Sequence, residues 1–239
     1  MDKGVSFSYD KMEKSDQSSV FARVMRNVYI WMALGLLMTG LTAMSVSKNG
    51  DIVYAMAANS ALFWGLAIAE ILLVVVLSAA INRLSFPVAG IMFAIYAVLN
   101  GVTLSVIFLV YTMESIAQAF FVTAGTFAVM SAFGYFTKRE LSTIGRIMYM
   151  LLIGLVIATV VNLFFHNSML EMVLNYAGVI IFVGLTAYDT QKIKNRLLVS
   201  TELADGDTLG KIALMGSLDL YLDFINLFLY ILRFMGRRK

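Results

Sequence analysis

The residues able to do chemistry in this chain are few, and most are carboxylates set in apolar surroundings. Cysteine is absent and histidine occurs once, at His166. That excludes thiolate and His-cluster metal sites and a thiol nucleophile, and it leaves a His-dependent hydrolase without support. What remains is Glu70, Asp189, Asp219 and Asp223, each within or at the end of a long oily run. Asn226 lies one turn beyond Asp223, and Arg83 follows the run that holds Glu70.

Asp219 and Asp223 are four residues apart and so share one helix face. Their oxygen-rich stripe suits a hard cation. Two carboxylates in a low-dielectric site cannot both ionise easily, so the stripe also suits protons. The competing reading is a structural, hydrogen-bonded pair. Asp189 can couple to Asp223 across a helix contact, or form a helix-end ion pair with Lys192 three residues on. Arg83 can pair with either carboxylate or anchor the membrane interface. Glu70 is a candidate second cation or proton site on an ion pathway, or a carboxyl hydrogen-bonded to a neighbouring helix.

The elements that must position these groups are membrane helices. Of 239 residues, 60% are hydrophobic and 14% charged, against about 45–50% and about 25% in an ordinary soluble domain. Runs of about 20 apolar residues, long enough to cross the hydrocarbon as helix, fall at 27–46, 61–81, 88–110, 116–136, 146–165, 170–189 and 213–234. They lack the alternation of barrel strands, so the expectation is an all-α integral membrane protein with seven transmembrane helices. Residues 1–22, polar and aperiodic, are expected to be a flexible cytoplasmic tail, and 23–239 a single seven-helix domain. The first run is longer than a signal-peptide core and carries no cleavage site. The net charge of +3 does not point to nucleic acid.

With the amino terminus cytoplasmic, 13 of the 18 basic residues fall on the inside, the bias that orients membrane proteins. The exception is the carboxyl-terminal group, Arg233, Arg237, Arg238 and Lys239. It lies outside if the last run crosses and inside if that run re-enters; a full crossing is expected. The acidic stripe cannot face lipid, which places the last helix centrally. Small residues every fourth position, Ala57/Ala61/Gly65/Ala69 and Ala124/Ala128/Ala132, are expected to mark close helix contacts.

Two segments together, Gly184-Leu-Thr-Ala-Tyr-Asp-Thr-Gln-Lys-Ile193 and Leu218-Asp-Leu-Tyr-Leu-Asp-Phe-Ile-Asn-Leu-Phe228, resemble the transmembrane Bax-inhibitor motif family, its bacterial members in particular. The resemblance implies six helices surrounding a central seventh in the cytoplasmic membrane, and a pH-sensitive calcium leak through the bundle. It implies that Asp189 and Asp223 pair, with Arg83 in the place of an arginine latch, and that Asp219 belongs to an Asp-x-x-x-Asp form. On this reading Asp189 and Asp223 hold calcium weakly, as a transit site must, the partners are lipid, calcium and protons, and there is no cofactor. The alternative is a regulator of a membrane-bound protease, for which the tail would matter. A proton-coupled transporter using Glu70 lacks an inverted repeat in its favour. An enzyme is not expected: no Ser–His or Ser–Lys pair lies mid-membrane, and Asp219 and Asp223 lack the Gly-x-Gly lead of presenilin-like proteases.

Overall fold

In a computed structural model describing residues 3–200, 205–237 and 239, with side chains from residue 19 onward except at 52, 56, 57, 60, 63 and 200, every long apolar run is helical. The elements are α1 (Lys3–Ser47), α2 (Gly50–Ala58), α3 (Ser60–Ala80), α4 (Phe86–Leu104), α5 (Ile107–Val110), α6 (Met113–Phe136), α7 (Ser142–Phe165), α8 (Ser168–Ser200) and α9 (Gly206–Met235). Stretches of α1, α4–α5, α6, α7, α8 and α9 are each long and apolar enough to cross a bilayer. The described apolar part of α3, Trp64–Ala80, is shorter.

Local chemistry sets many of the ends. Asn59 caps α3, its side-chain oxygen accepting from Ala61 and Leu62 N–H groups, and Thr112 caps α6 by accepting from Ser115 N at 3.3 Å. Asp205 caps α9 through Thr208 N at 2.9 Å, and those hydrogen bonds hold its exposed carboxyl below the usual carboxylate range. Pro87 sits in the first turn of α4, where its missing N–H costs nothing. α7 stops at His166, whose φ of 49° is the left-handed cap conformation.

α9 is the core of the bundle. Two thirds of its apolar stretch is buried, against 6% for α7. It packs on α8, α1, α6 and α4, whereas α7 lies mainly against α8 and α3 mainly against α4. The outward side chains of α7, among them Ile153, Ile157 and Phe164, are open, an arrangement that only lipid makes stable. Ser217 Oγ on α9 donates to Val28 O of α1 at 2.9 Å.

α9 also runs the full length of the bundle. At its start Asp207 Oδ1 accepts from Phe86 N, at the opening of α4. Just past its end, Thr112 N donates to Arg237 O, Lys239 N donates to Val110 O, and Arg237 N donates to Ser115 Oγ. Arg233, Arg237 and Lys239 accordingly sit at the opposite end of the bundle from Arg83.

The elements differ in places from the apolar runs. Helix α1 begins at Lys3, within the polar stretch that precedes the first run. A short helix, α2, occupies the connection before α3, and α8 continues eleven residues beyond the expected end at 189. The small-residue stripes are mostly open: Ala61, Gly65 and Ala69 are exposed, as are Ala128 and Ala132, while Ala124 is half-buried against the core and the Ala57 side chain lies outside the described residues. The inward face of α6 is instead Ser115, Ala119, Thr123, Phe127, Ser131 and Gly134. Gly134 is where α6 meets the α8 backbone, since a Cβ there would run into the Ala187 carbonyl.

Gly134→Ala should therefore cost about 1–3 kcal/mol by overpacking, while Gly125→Ala, with nothing near its Cβ position, should be tolerated. Thermal unfolding of the two variants in detergent checks this; equal melting would contradict the assigned contact.

Candidate functional site

The sequence Asp189-Thr-Gln-Lys192 sits on α8 where that helix is deepest in the bundle. Each of these side chains reaches a different neighbour, because successive helix positions turn through about 100°. Asp189 is 2% exposed and receives the Tyr149 hydroxyl of α7 at 3.2 Å on both oxygens. Thr190 touches Ser131 of α6 at 3.0 Å, which in turn contacts the Tyr29 hydroxyl of α1 at 2.7 Å. Gln191 clasps the α6–α7 connection, accepting from Leu141 N at 2.8 Å and donating to Arg139 O at 2.9 Å. Two residues beyond Lys192, Lys194 Nζ donates to Tyr135 O near the end of α6 at 2.7 Å.

Lys192 makes the link to α9. Its ammonium donates to Asp189 Oδ1 at 3.1 Å and to Asp219 Oδ2 at 2.9 Å. Asp223, one turn deeper on α9 and 4% exposed, faces Asp189 and Asp219, and its Oδ2 has no hydrogen-bond partner. Two carboxyls thus hold one ammonium, and a third, buried one turn deeper, faces them without contacting it. Among the described residues no group of three or more acidic or His side chains is arranged to hold a metal ion. The central cationic position is taken by the lysine.

A polar cavity of about 500 Å³ opens next to this cluster at the end where α9 begins. Lys192, Arg196, Lys211, Asp219, Asn82 and Thr208 line it. Beyond Asp223 the buried face of α9 is apolar, through Phe224, Leu227, Phe228, Ile231 and Leu232.

The structure brings together Asp189, Asp219 and Asp223 and leaves the other expected residues elsewhere. Arg83 is exposed in the turn after α3, its N–H donating to Ala80 O at 2.8 Å; among the described residues it forms no ion pair with the aspartates. The end of α3 and the turn after it do border the cavity beside Asp219, through Ser78, Ile81 and Asn82, but the next side chain, Arg83, is exposed and does not line it. Asn226 does not extend the acidic stripe: its Nδ2 donates to Leu222 O of its own helix at 2.8 Å. Glu70 is buried against α4, bonded to Asn100 and Thr103, apart from the aspartates. Sequence reasoning missed Tyr149, which no local signal ties to Asp189. The bridging role of Lys192 was half visible in its i+3 spacing from Asp189.

A bundle of long apolar helices with carboxylates and a lysine held between its two most intimately packed members is a multi-pass membrane protein with a charged interior site. The family described as Inhibitor of apoptosis-promoting Bax1 matches residues 21–239, and the chain belongs to that family. It is 47% identical over 215 residues to inner membrane protein YbhL of Escherichia coli K12, covering 90% of this chain and 92% of the relative. It is 39% identical over 230 residues to an uncharacterized protein of Borreliella burgdorferi, covering 96% and 98%. A further relative, uncharacterized protein RP147 of Rickettsia prowazekii, is 39% identical over 218 residues, covering 91% and 90%.

Lys192→Met should destabilise the protein by about 3 kcal/mol, because it strands two carboxylates, one of them fully buried. Arg83→Ala should stay within about 0.5 kcal/mol of the wild type, as for an exposed side chain. Melting temperatures in one detergent read both, and the reverse order would contradict the geometry.

Proposed function

We propose that the protein is a pH-sensitive calcium leak of the bacterial cytoplasmic membrane, with Asp189 and Asp223 as the proton-sharing gate. The observation that carries this reading is the pairing of Asp189 and Asp219 on Lys192 beside a polar cavity, with Asp223 buried behind them and one of its oxygens without a partner. The arrangement is that of a closed pathway. Lys192 acts as a tethered cation in the place a transported ion would pass, and the apolar face of α9 from Phe224 to Leu232 blocks the rest of the way.

Opening would require Lys192 to release Asp219 and α9 to shift. Protonation of the aspartates weakens their hold on Lys192 and so biases that two-state arrangement. It also removes calcium ligands, so the two effects oppose each other. Lys192 replaces Arg83 as the latch in this account. A leak needs no cofactor and no catalytic residue, and a carboxylate set short of a full calcium cage agrees with passage better than with storage.

The same reading has α3 crossing together with the six longer helices, for seven spans. The basic residues Arg83, Lys138, Arg139, Lys194, Arg196 and Lys211 would lie in the cytoplasm with the amino terminus. Lipid, calcium and protons are then the partners.

Calcium influx into dye-loaded proteoliposomes, followed across the neutral pH range, tests the proposal. The wild type should leak with a pH dependence that flattens in Asp189→Asn and in Asp223→Asn, and Lys192→Met should leak faster at every pH. Folded wild-type protein with no flux above empty liposomes would overturn the leak and leave regulation of a membrane-bound protease as the reading to pursue.

A further inference from the structure

On the opposite side of α9 from the aspartates lies a second buried polar system, built on Glu70. Glu70 Oε1 accepts from Thr103 Oγ1 at 2.5 Å, and Oε2 lies 3.0 Å from the Asn100 amide. The far side of that amide is 3.1 Å from the Tyr221 hydroxyl. Tyr221 Oη is 2.6 Å from Thr39 Oγ1, which is 2.8 Å from Ala97 O. These five contacts join α3, α4, α9 and α1. Glu70, Asn100, Thr39 and Tyr221 are all buried.

The hydrogens in this chain can be counted. A hydroxyl has one hydrogen. If Glu70 is a carboxylate, Asn100 must turn its NH₂ toward it and its oxygen toward Tyr221. Three oxygen–oxygen contacts then remain, Asn100–Tyr221, Tyr221–Thr39 and Thr39–Ala97, with only the two hydroxyl hydrogens of Tyr221 and Thr39 to fill them. One buried contact is left as two facing lone pairs. The orientation of an amide is a matter of its bonding network. With a proton on Glu70 Oε2 and the Asn100 amide turned over, every contact has its hydrogen, running one way: Thr103 to Glu70, Glu70 to Asn100, Asn100 to Tyr221, Tyr221 to Thr39, Thr39 to Ala97 O.

We propose that Glu70 is a proton-binding site, held as the carboxylic acid that starts a one-directional hydrogen-bond chain through Asn100, Tyr221 and Thr39 to Ala97 O. The surroundings agree. Among the described residues no Lys or Arg pairs with Glu70. The titratable groups near it are Tyr96 of α4 and Tyr221 of α9. On α2, which also packs on α3, Asp51 and Tyr54 are exposed. A carboxylate there would have no counter-charge, whereas the acid needs none. The inference stands apart from the leak reading and survives if that reading fails.

Infrared spectroscopy of the full chain in lipid nanodiscs at neutral pH tests it through the carbonyl stretch of a protonated carboxylic acid. One component should be present in the wild type, persist in Asp189→Asn and Asp223→Asn, and vanish in Glu70→Gln. Gln keeps a donor toward Asn100, so that variant should melt with the wild type. Superimposable acid bands in wild type and Glu70→Gln would overturn the proposal. Should Glu70→Gln not fold, Tyr221→Phe serves: it does not contact Glu70 yet breaks the chain, so the Glu70 band should shift in frequency. An unmoved band would overturn the one-directional chain.

Discussion

An ammonium group held between two helices inside a membrane protein is the constraint on which the rest of this structure depends. Lys192 is half-buried at the edge of the polar cavity, and Asp189 and Asp219 within 3.1 Å of it compensate its charge there. The pairing requires α8 and α9 to stay in one register along their contact. It also requires α9, which carries two of the three aspartates, to lie inside the bundle. The apolar residues of α9 then become its core by necessity, and α7 and α3 are left on the outside facing lipid.

The Asp189–Lys194 segment is where α8 ties the bundle together. In lipid there is no hydrophobic force to gather helices, so interhelical hydrogen bonds and close packing hold them in place. Here consecutive polar side chains on one helix supply contacts to α7, α6, the α6–α7 connection and α9. Only a helix surrounded on several sides could carry such a run, which is why α8 continues well past the apolar stretch that first marks it. Much of what reads as a functional motif is therefore architecture, and the interior charge between α8 and α9 is concentrated in Asp189, Lys192, Asp219 and Asp223.

The helices were legible in the sequence because the bilayer imposes a length that shows as apolar runs, and α6, α7 and α9 begin and end within a few residues of those runs except at the polar start of α9. The pairing of the two halves of the site was legible through the two motifs around Asp189 and Asp223. What was not legible depended on rotation and distance. Alanines at fourfold spacing signal a contact only if their face turns inward, and on α6 it is the neighbouring face, with Phe127 and Gly134, that does. Arg83 sits at the right end of the bundle, next to Asn82 at the cavity, but its own side chain is exposed, a rotation that no spacing along the chain reveals. α2 escapes detection because nine residues between Asn49 and Asn59 carry too short a pattern.

The claim most open to direct test is that Lys192, and not Arg83, is the cation that closes the aspartate cluster. A double-mutant cycle on thermal stability, pairing Lys192→Met with Asp219→Asn and, separately, Arg83→Met with Asp219→Asn, measures each coupling without reference to any transport activity. The account predicts a coupling of about 1–3 kcal/mol for the lysine pair and additivity within about 0.5 kcal/mol for the arginine pair. Additivity for Lys192 together with strong coupling for Arg83 would contradict it.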